Sequence, residues 1–262
     1  NHKLRGKESN SDLNFAKEIA KKTGLKLEYK EMDIAKLAKK NKNSIEEEGR
    51  NARYDFFSKI QEKYKADLLM TAHHSDDNLE TILFNFIRGS ALKGLSGIGN
   101  NLKVIRPLLC VTKKEIVSFL KKHKIKFRID KTNFDTKIPR NFLRHKIIPM
   151  LEKINPNLPQ TIMKNSKLIK ETQEFVEEEA TKWIKSNTIK NTRQKTFNLK
   201  AFIPLHKALK REIIRQIYAV KSGNLKNISS ANFEEVVEML EKNIGGKQKK
   251  LGKYVIEINK GT

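Results

Sequence analysis

The first part of the chain alternates between helical and strand-like patterns of hydrophobic residues. Residues 11–22 follow a helical period behind Ser11, a good capping residue, and Gly24 follows as a typical helix stop. Residues 25–29 then alternate apolar and polar side chains, which is the pattern of a strand. The sequence therefore predicts a helix followed directly by a strand.

This alternation continues to residue 129. The predicted elements are a helix over 45–64, a buried strand over 67–72, a helix over 76–88, a strand over 103–106, a helix opened by the capping box Thr112…Glu115, and a strand over 127–129. Repeated alternation of this kind favours an α/β fold, in which a parallel sheet carries helices on both faces. Such a sheet binds its ligands at the carboxyl ends of the strands.

After Pro149 the pattern becomes mostly helical. Helices are predicted over 158–185 and 207–219, and residues 247–259 have the pattern of a β-hairpin. We therefore expect two domains, a catalytic one over 1–150 and a smaller, mostly helical one over 151–262.

The net charge of the chain indicates a class of binding partner. The chain has 55 basic and 30 acidic residues, a net charge of +25, which favours a polyanion such as nucleic acid, although a generally lysine-rich composition would give the same excess.

No apolar run approaches the roughly 18 residues that a membrane helix needs, and the first residues lack a signal-peptide core. We expect a cytoplasmic protein without a membrane partner. The single cysteine, Cys110, excludes an internal disulfide and is expected to be a packing residue.

The segment 71–81 carries the strongest candidate chemistry. It places His73 at the end of a predicted strand, and Asp77 and Glu80 three residues apart at the start of the next helix. Two carboxylates at a strand end suit a cationic ligand, a metal ion or a general base. The alternative is a capping role, because Ser75 is a plausible cap and acidic side chains are favoured in a first helical turn.

Two pairs of arginines could bind anions. Arg50 and Arg53 lie one turn apart on a predicted helix and could hold a phosphate, or they could belong to an ordinary charged surface. Arg140 and Arg144 are four residues apart and could face one anion, with an ordinary basic helix face as the equal alternative.

Two further segments have polar or glycine-rich patterns. Asn133 and Asn141 could orient a base or a sugar. The glycine-rich residues 88–97 lack P-loop spacing and are expected to form a mobile loop. No zinc-ligand spacing and no nucleophilic triad is evident, so we predict no resident metal.

In combination, these motifs resemble the tRNA(Ile)-lysidine synthetase family over residues 1–155. The resemblance rests on Asn1-His-Lys-Leu-Arg-Gly6 with Asp12, Glu46 with Arg50-x-x-Arg53-Tyr54, the segment 71–81, Arg88-Gly-Ser with Gly94-Leu95, Arg106-Pro-Leu-Leu109, Asp130 with Asn133, and Arg140-Asn-x-x-Arg144. It implies a Rossmann-like catalytic domain of the N-type ATP pyrophosphatase (PP-loop) group. It also implies that ATP with Mg²⁺ adenylates the wobble cytidine of an isoleucine tRNA with a CAU anticodon, and that L-lysine then displaces AMP to form lysidine.

The resemblance also implies roles for individual residues. The reaction site would contain His73, Asp77, Arg53, Arg140 and Arg144. Asp77 and Glu80 would bind the lysine substrate. The tRNA or its phosphates would contact Arg50, Arg88, Asn133 and Asn141. The region 151–262 would help to bind the tRNA.

The resemblance leaves some questions open. The family's S-G-G-x-D-S loop, which grips pyrophosphate, does not occur in the sequence, so we expect a fragment that lacks the first strand, loop and helix of its domain. A related tRNA thiolation enzyme is one rival interpretation, which the lone Cys110 disfavours. A non-catalytic RNA-binding protein is another. The oligomeric state is undetermined, and a homodimer is one option.

Overall fold

The structure is a computed structural model that describes residues 1–98, 104–189, 196–223, 225 and 228–259. Its helices are, in chain order, α1 (Lys7–Thr23), α2 (Ile34–Asn41), α3 (Ile45–Tyr64), α4 (Ser75–Ile87), α5 (Leu92–Leu95), α6 (Lys113–Lys122), α7 (Pro139–Phe142), α8 (Ile148–Ile154), α9 (Leu158–Asn187), α10 (Leu199–Phe202), α11 (Lys207–Ser222) and α12 (Ser230–Lys242). Its strands are β1 (Leu69–Met70), β2 (Val104–Ile105), β3 (Thr188–Ile189), β4 (Thr196–Phe197), β5 (Gln248–Leu251) and β6 (Tyr254–Glu257).

One compact unit comprises residues 1–77 and 99–141. Its sheet is the parallel pair β1–β2, in which Leu69 lies opposite Val104. This pair confirms the two predicted strands and the α/β class, although Lys103, the first residue of the second predicted strand, lies outside the described residues.

Local capping chemistry sets the helix ends of this unit. The hydroxyl of Ser44 accepts a hydrogen bond from the Glu47 backbone N–H, and α3 runs over 45–64 as predicted. The predicted capping box at the start of α6 is also present. The predicted start of α1 behind Ser11 is wrong: the helix begins at Lys7, directly after Gly6.

Two predicted strands of this unit are wrong. Within the described residues, neither 25–29 nor 127–129 is paired as a strand. The side chains of Leu25, Tyr29 and Ile129 are exposed. Alternation shows only which side chains could share a face, whereas a strand also needs a neighbour for its backbone hydrogen bonds.

The expectation for Cys110 is also wrong. The side chain is exposed, and its thiol donates to the carbonyl oxygen of Pro107 at 3.4 Å. The apolar run around it forms a short 3₁₀-helix over Pro107–Cys110 in place of a buried strand, which leaves the cysteine at the surface.

The other compact unit comprises residues 78–98 and 142–262. The predicted helices α9 and α11 and the predicted hairpin β5–β6 are confirmed, and Leu251 lies opposite Tyr254 beside the hairpin turn. The glycine-rich segment 88–97 contains helix α5, so its interpretation as a loop is wrong in part. No helix in the described part of the chain is long and apolar enough to cross a membrane.

The core of this second unit is continuous. Phe202 is fully buried and packs against the rings of Trp183 and Phe197, with centroid distances of 5.8 and 5.2 Å. Other buried members come from α11, α12 and the hairpin: Ile213, Ile214, Tyr218, Phe233, Val236, Val237, Met239, Leu240, Leu251 and Ile258.

Candidate active site

The chain segment between β1 and α4 carries the candidate acids and histidines. Ser75 is the first residue of α4 and not the predicted cap, and its backbone N–H donates to the carbonyl oxygen of Val111 at 3.0 Å. The Asp76 carboxylate accepts a 2.8 Å hydrogen bond from the Lys113 backbone N–H. These contacts fasten the start of α4 to the start of α6.

His74 lies between two carboxylates. Its Nδ1 is 3.4 Å from Oδ2 of Asp76, and its Nε2 is 3.4 Å from Oδ2 of Asp77. Its backbone N–H donates to Oδ2 of Asp77 at 3.0 Å. The nearby His74 ring lowers the pKa of Asp76 to about 2, with a smaller contribution from the Lys113 backbone. His74 and Asp76 were absent from the predicted site, although the close run of two histidines and two aspartates was a visible signal.

His73 is a half-buried histidine at the carboxyl end of β1. Its Nδ1 lies 2.9 Å from the hydroxyl oxygen of Thr71. Burial is the largest effect on its pKa and lowers it, whereas the Asp77 carboxylate acts in the opposite direction. Three arginines lower the pKa further: Arg106, Arg50 and Arg53. The lowered pKa favours the neutral imidazole, the form that can accept a proton.

Helix α3 contributes two exposed arginines to this part of the unit. Arg50 lies over the ring of Tyr54, 5.1 Å from its centroid, and Arg53 follows one turn later. Both act on the pKa of His73, so the predicted arginine pair and the predicted histidine share one electrostatic environment.

Several hydrogen bonds hold the turn after Asp130. Oδ1 of Asp130 accepts from the backbone N–H and the hydroxyl of Thr132, at 2.9 and 2.7 Å. The side-chain NH₂ of Asn141, which is buried, donates to the carbonyl oxygens of Thr132 and Asp135, at 2.7 and 2.9 Å. Asn141 therefore holds this turn against α7, the helix that carries Arg140.

In the second unit, Glu80 and Arg144 form a bidentate pair. Nε and Nη2 of Arg144 donate to the two carboxylate oxygens of Glu80, at 2.5 and 2.9 Å, and Glu80 is only 2% exposed. Arg144 lies in a π-helical turn, Leu143–Ile147, a type of turn often found at functional sites. Arg88 is exposed and lies over the ring of Phe84.

The predicted site residues thus fall into separate groups. The first unit holds His73, Asp77, Arg50, Arg53, Asn133, Arg140 and Asn141. The second unit holds Glu80, Arg88 and Arg144. Within the described residues, no group of three or more His, Cys, Asp or Glu side chains could hold a metal ion.

Comparison with known proteins identifies the family. Residues 1–151 match the PP-loop domain family. The chain is 36% identical to a tRNA(Ile)-lysidine synthase of Thermosipho africanus over 97% of the chain and 57% of that protein. It is 36% identical to one of Persephonella marina over 96% of the chain and 54% of that protein. The chain thus spans just over half the length of these relatives.

A solved structure supports the fold. A U34-tRNA thiolase, NcsA from Methanococcus maripaludis with its 4Fe-4S cluster, matches with a TM-score of 0.53 and 18% identity over 65% of this chain and 60% of the thiolase. At this identity the match shows the α/β fold alone. The match over residues 1–151 shows that the chain belongs to the PP-loop domain family, and over almost its whole length it is similar to tRNA(Ile)-lysidine synthases.

Proposed function

We propose that this protein ligates L-lysine to carbon 2 of the wobble cytidine in a cytoplasmic isoleucine tRNA with a CAU anticodon. The observation that carries the proposal is the half-buried His73, 2.9 Å from the Thr71 hydroxyl at the carboxyl end of a parallel strand pair, with Asp77 in the first turn of the helix that follows. The similarity to lysidine synthases over almost the whole chain supports it.

The proposed reaction has two steps. First, the oxygen on carbon 2 of the cytosine attacks the α-phosphorus of ATP, a P–O bond forms, and pyrophosphate leaves. The lysine ε-amine then attacks carbon 2, a C–N bond forms, and the C–O bond to AMP breaks. Mg²⁺ would accompany the ATP phosphates, but the described residues include no three-ligand cluster for it, and we assign no step to it.

His73 and Asp77 fit the second step. A lysine ammonium group has an ordinary pKa near 10.4, so it must lose a proton before it can act as a nucleophile. Asp77 would hold the ammonium by charge, and His73, whose pKa is lowered, would accept the proton.

The arginines fit the phosphate chemistry. Arg53, Arg140 and Arg144 would stabilise negative charge that develops on the transferred phosphate. Contacts to the tRNA or its phosphates are proposed for Arg50, Arg88 and Asn133. Asn141, which sequence analysis placed in the same group, is buried and donates to two backbone carbonyl oxygens, so its proposed role is to support the turn that carries Asn133. For the lysine site, we propose that Asp77 contacts the ammonium group directly. Glu80 has an indirect role there, because its buried carboxylate pairs with Arg144 and fixes the position of that guanidinium group.

The direct test is mass spectrometry of isoleucine tRNA after incubation with ATP, lysine and the protein expressed from its complete gene. Lysine incorporation supports the proposal. Sulfur incorporation would identify a thiolation enzyme, and an unmodified tRNA that remains bound would identify a non-catalytic RNA-binding protein.

Steady-state kinetics test the lysine site. We expect Asp77→Asn to raise the KM for lysine far more than that for ATP, since loss of a charged hydrogen-bond partner costs on the order of 1.5–3 kcal/mol. Asp55→Asn, an exposed carboxylate on α3, is the control and should leave both constants unchanged. An equal rise in both constants for Asp77→Asn would refute the assignment.

A further inference from the structure

Four charged side chains form a network of close ion pairs in the first unit, and a fifth, Glu8, lies at the longer distance of 3.9 Å from Nη1 of Arg5. Nη1 of Arg5 is 2.6 Å from Oδ1 of Asp130, and Nη2 of Arg5 is 3.0 Å from Oδ2 of Asp12. The second oxygen of Asp12 accepts from Nε of Arg128 at 2.6 Å. We call Arg5, Asp12, Arg128 and Asp130 the Arg5 network. It joins parts of the chain that are up to 125 residues apart in sequence.

Backbone contacts and a glycine-specific turn hold the chain around Arg5 in place. The backbone N–H groups of Met32 and Ile34 donate to the carbonyl oxygens of Asn1 and His2, at 2.9 and 3.3 Å. Gly6 adopts φ 50° and ψ −118°, a conformation that is essentially restricted to glycine, and α1 begins at the next residue. The Arg5 carbonyl oxygen accepts from the Glu8 backbone N–H at 3.1 Å, so the base of the Arg5 side chain is fixed against α1.

The Arg5 network ends on the turn described above. Oδ1 of Asp130, the atom that Arg5 contacts, is the same atom that accepts from the backbone N–H and hydroxyl of Thr132. The carbonyl oxygen of Thr132 is in turn held by Asn141, the residue next to Arg140. An unbroken series of contacts therefore runs from Arg5 through Asp130 to Thr132 and Asn141, the residues next to Asn133 and Arg140.

We propose that Arg5 and Asp12 are positioning residues for the reaction, which orient Asn133 and Arg140 by fixing the turn at Asp130. The proposal rests on the proposed function, in which those two side chains contact phosphate or tRNA. The fork of a guanidinium group suits this role, because it fixes two carboxylates at set distances, which a lysine ammonium cannot do.

Removal of the Arg5 network should affect the stability of the fold and the orientation of Asn133 and Arg140 to different extents. The side chains of the Arg5 network are between 26% and 42% exposed, and partly exposed ion pairs contribute little to folding. A misplaced group in an active site, by contrast, can slow a reaction about 100-fold. Removal of the network should therefore slow the chemical step of a protein that is still folded.

The variants for the test are Arg5→Gln, Arg5→Lys and Asp12→Asn, in the protein expressed from its complete gene. Lys3→Gln is the matched control, because Lys3 lies in the same segment and its 3.1 Å pair with Glu31 does not involve Asp130. We expect Arg5→Gln and Asp12→Asn to lower the single-turnover rate about 10- to 100-fold, with little change in the KM for lysine. Arg5→Lys should recover only part of the rate, and Lys3→Gln should keep all of it.

Amide hydrogen exchange gives a readout that does not depend on activity. Arg5→Gln should accelerate exchange at the Thr132 and Asn133 amides, which both donate to Asp130, whereas Lys3→Gln should not. Wild-type rates per folded molecule, or unchanged exchange at Thr132 in Arg5→Gln, would overturn the positioning role. If the wild-type protein forms no lysidine, the proposed function fails instead, and the exchange data still decide whether Arg5 orders the turn.

Discussion

The two compact units are held together in different ways. The unit with α9, α11 and α12 has a continuous apolar core in which Phe202, Ile213 and Val236 are fully buried. In the unit with β1 and β2, the described buried apolar side chains are Ile34, Ala38 and Ala52. Large apolar side chains there remain exposed: Leu25, Tyr29, Leu68, Met70, Phe119, Ile125 and Ile129.

The difference shows which interactions position the residues of the candidate site and which stabilise the fold. In the first unit, named polar contacts order the candidate site: the carboxylates around His74, the turn at Asp130 and the Arg5 network. Such contacts are directional and individually weak, so they fix geometry more than they add stability. In the second unit, apolar burial provides most of the stability.

The largest expected effect is loss of a core ring in the second unit. Phe202→Ala should lower the free energy of unfolding by about 3–5 kcal/mol, because it leaves a cavity beside Trp183 and Phe197. In the first unit, Leu25→Ala removes a side chain that is 69% exposed. This substitution should change the free energy of unfolding by no more than about 0.5 kcal/mol. Urea unfolding followed by circular dichroism and by Trp183 fluorescence measures both. Similar losses in the two variants would contradict the comparison.

A second prediction compares a buried with an exposed ion pair within the second unit. Glu80→Gln should cost about 2–4 kcal/mol, because it leaves the partly buried Arg144 guanidinium without its carboxylate. The control is Glu171→Gln on α9, where an exposed pair with Lys167 should contribute less than about 0.5 kcal/mol. If the two substitutions cost the same in urea unfolding, the Glu80 pair is not a structural anchor.

The sequence was sufficient for several features that a single segment determines, but not for the start of α1, which follows Gly6 and not Ser11. The start of α3 at Ile45, the capping box of α6 and the hairpin β5–β6 were all predicted, because caps and turns depend on neighbouring residues. The alternating segments at 25–29 and 127–129 were not sufficient, since pairing depends on a remote backbone.

The candidate site shows the same limit. Proximity of His73, Asp77 and Glu80 along the chain suggested a candidate region, but it did not predict the contact partners of each residue. The Glu80–Arg144 pair spans 64 residues, and Arg5 meets Asp130 across 125. Sequence spacing predicts contacts along one helix, whereas these contacts come from folding. His74 was missed although both of its aspartate partners follow it within three residues.

A smaller effect is expected at Asp76. His74→Phe should raise the pKa of Asp76 from about 2 towards its ordinary value of 3.8, which a titration followed by carboxyl ¹³C NMR would detect. Because the folded pKa is the lower one, the associated stability is present above pH 3.8 and is lost as the pH falls through 2. Asp76 is partly exposed, so this term should not exceed about 1 kcal/mol. An unchanged pKa in His74→Phe would remove His74 as its cause.

The smallest effect is electrostatic and concerns His73. Arg53→Gln removes a positive charge that lowers the pKa of His73, so the pKa should rise towards 6.5, while burial continues to oppose the change. Asp77→Asn removes the charge that raises this pKa and should shift it in the opposite direction. If neutral His73 accepts the lysine proton, the acidic limb of the kcat/KM profile should move to higher pH in Arg53→Gln. Imidazole NMR titrations of both variants measure the shifts directly, and shifts of the same sign would show that the field at His73 does not come from these two side chains.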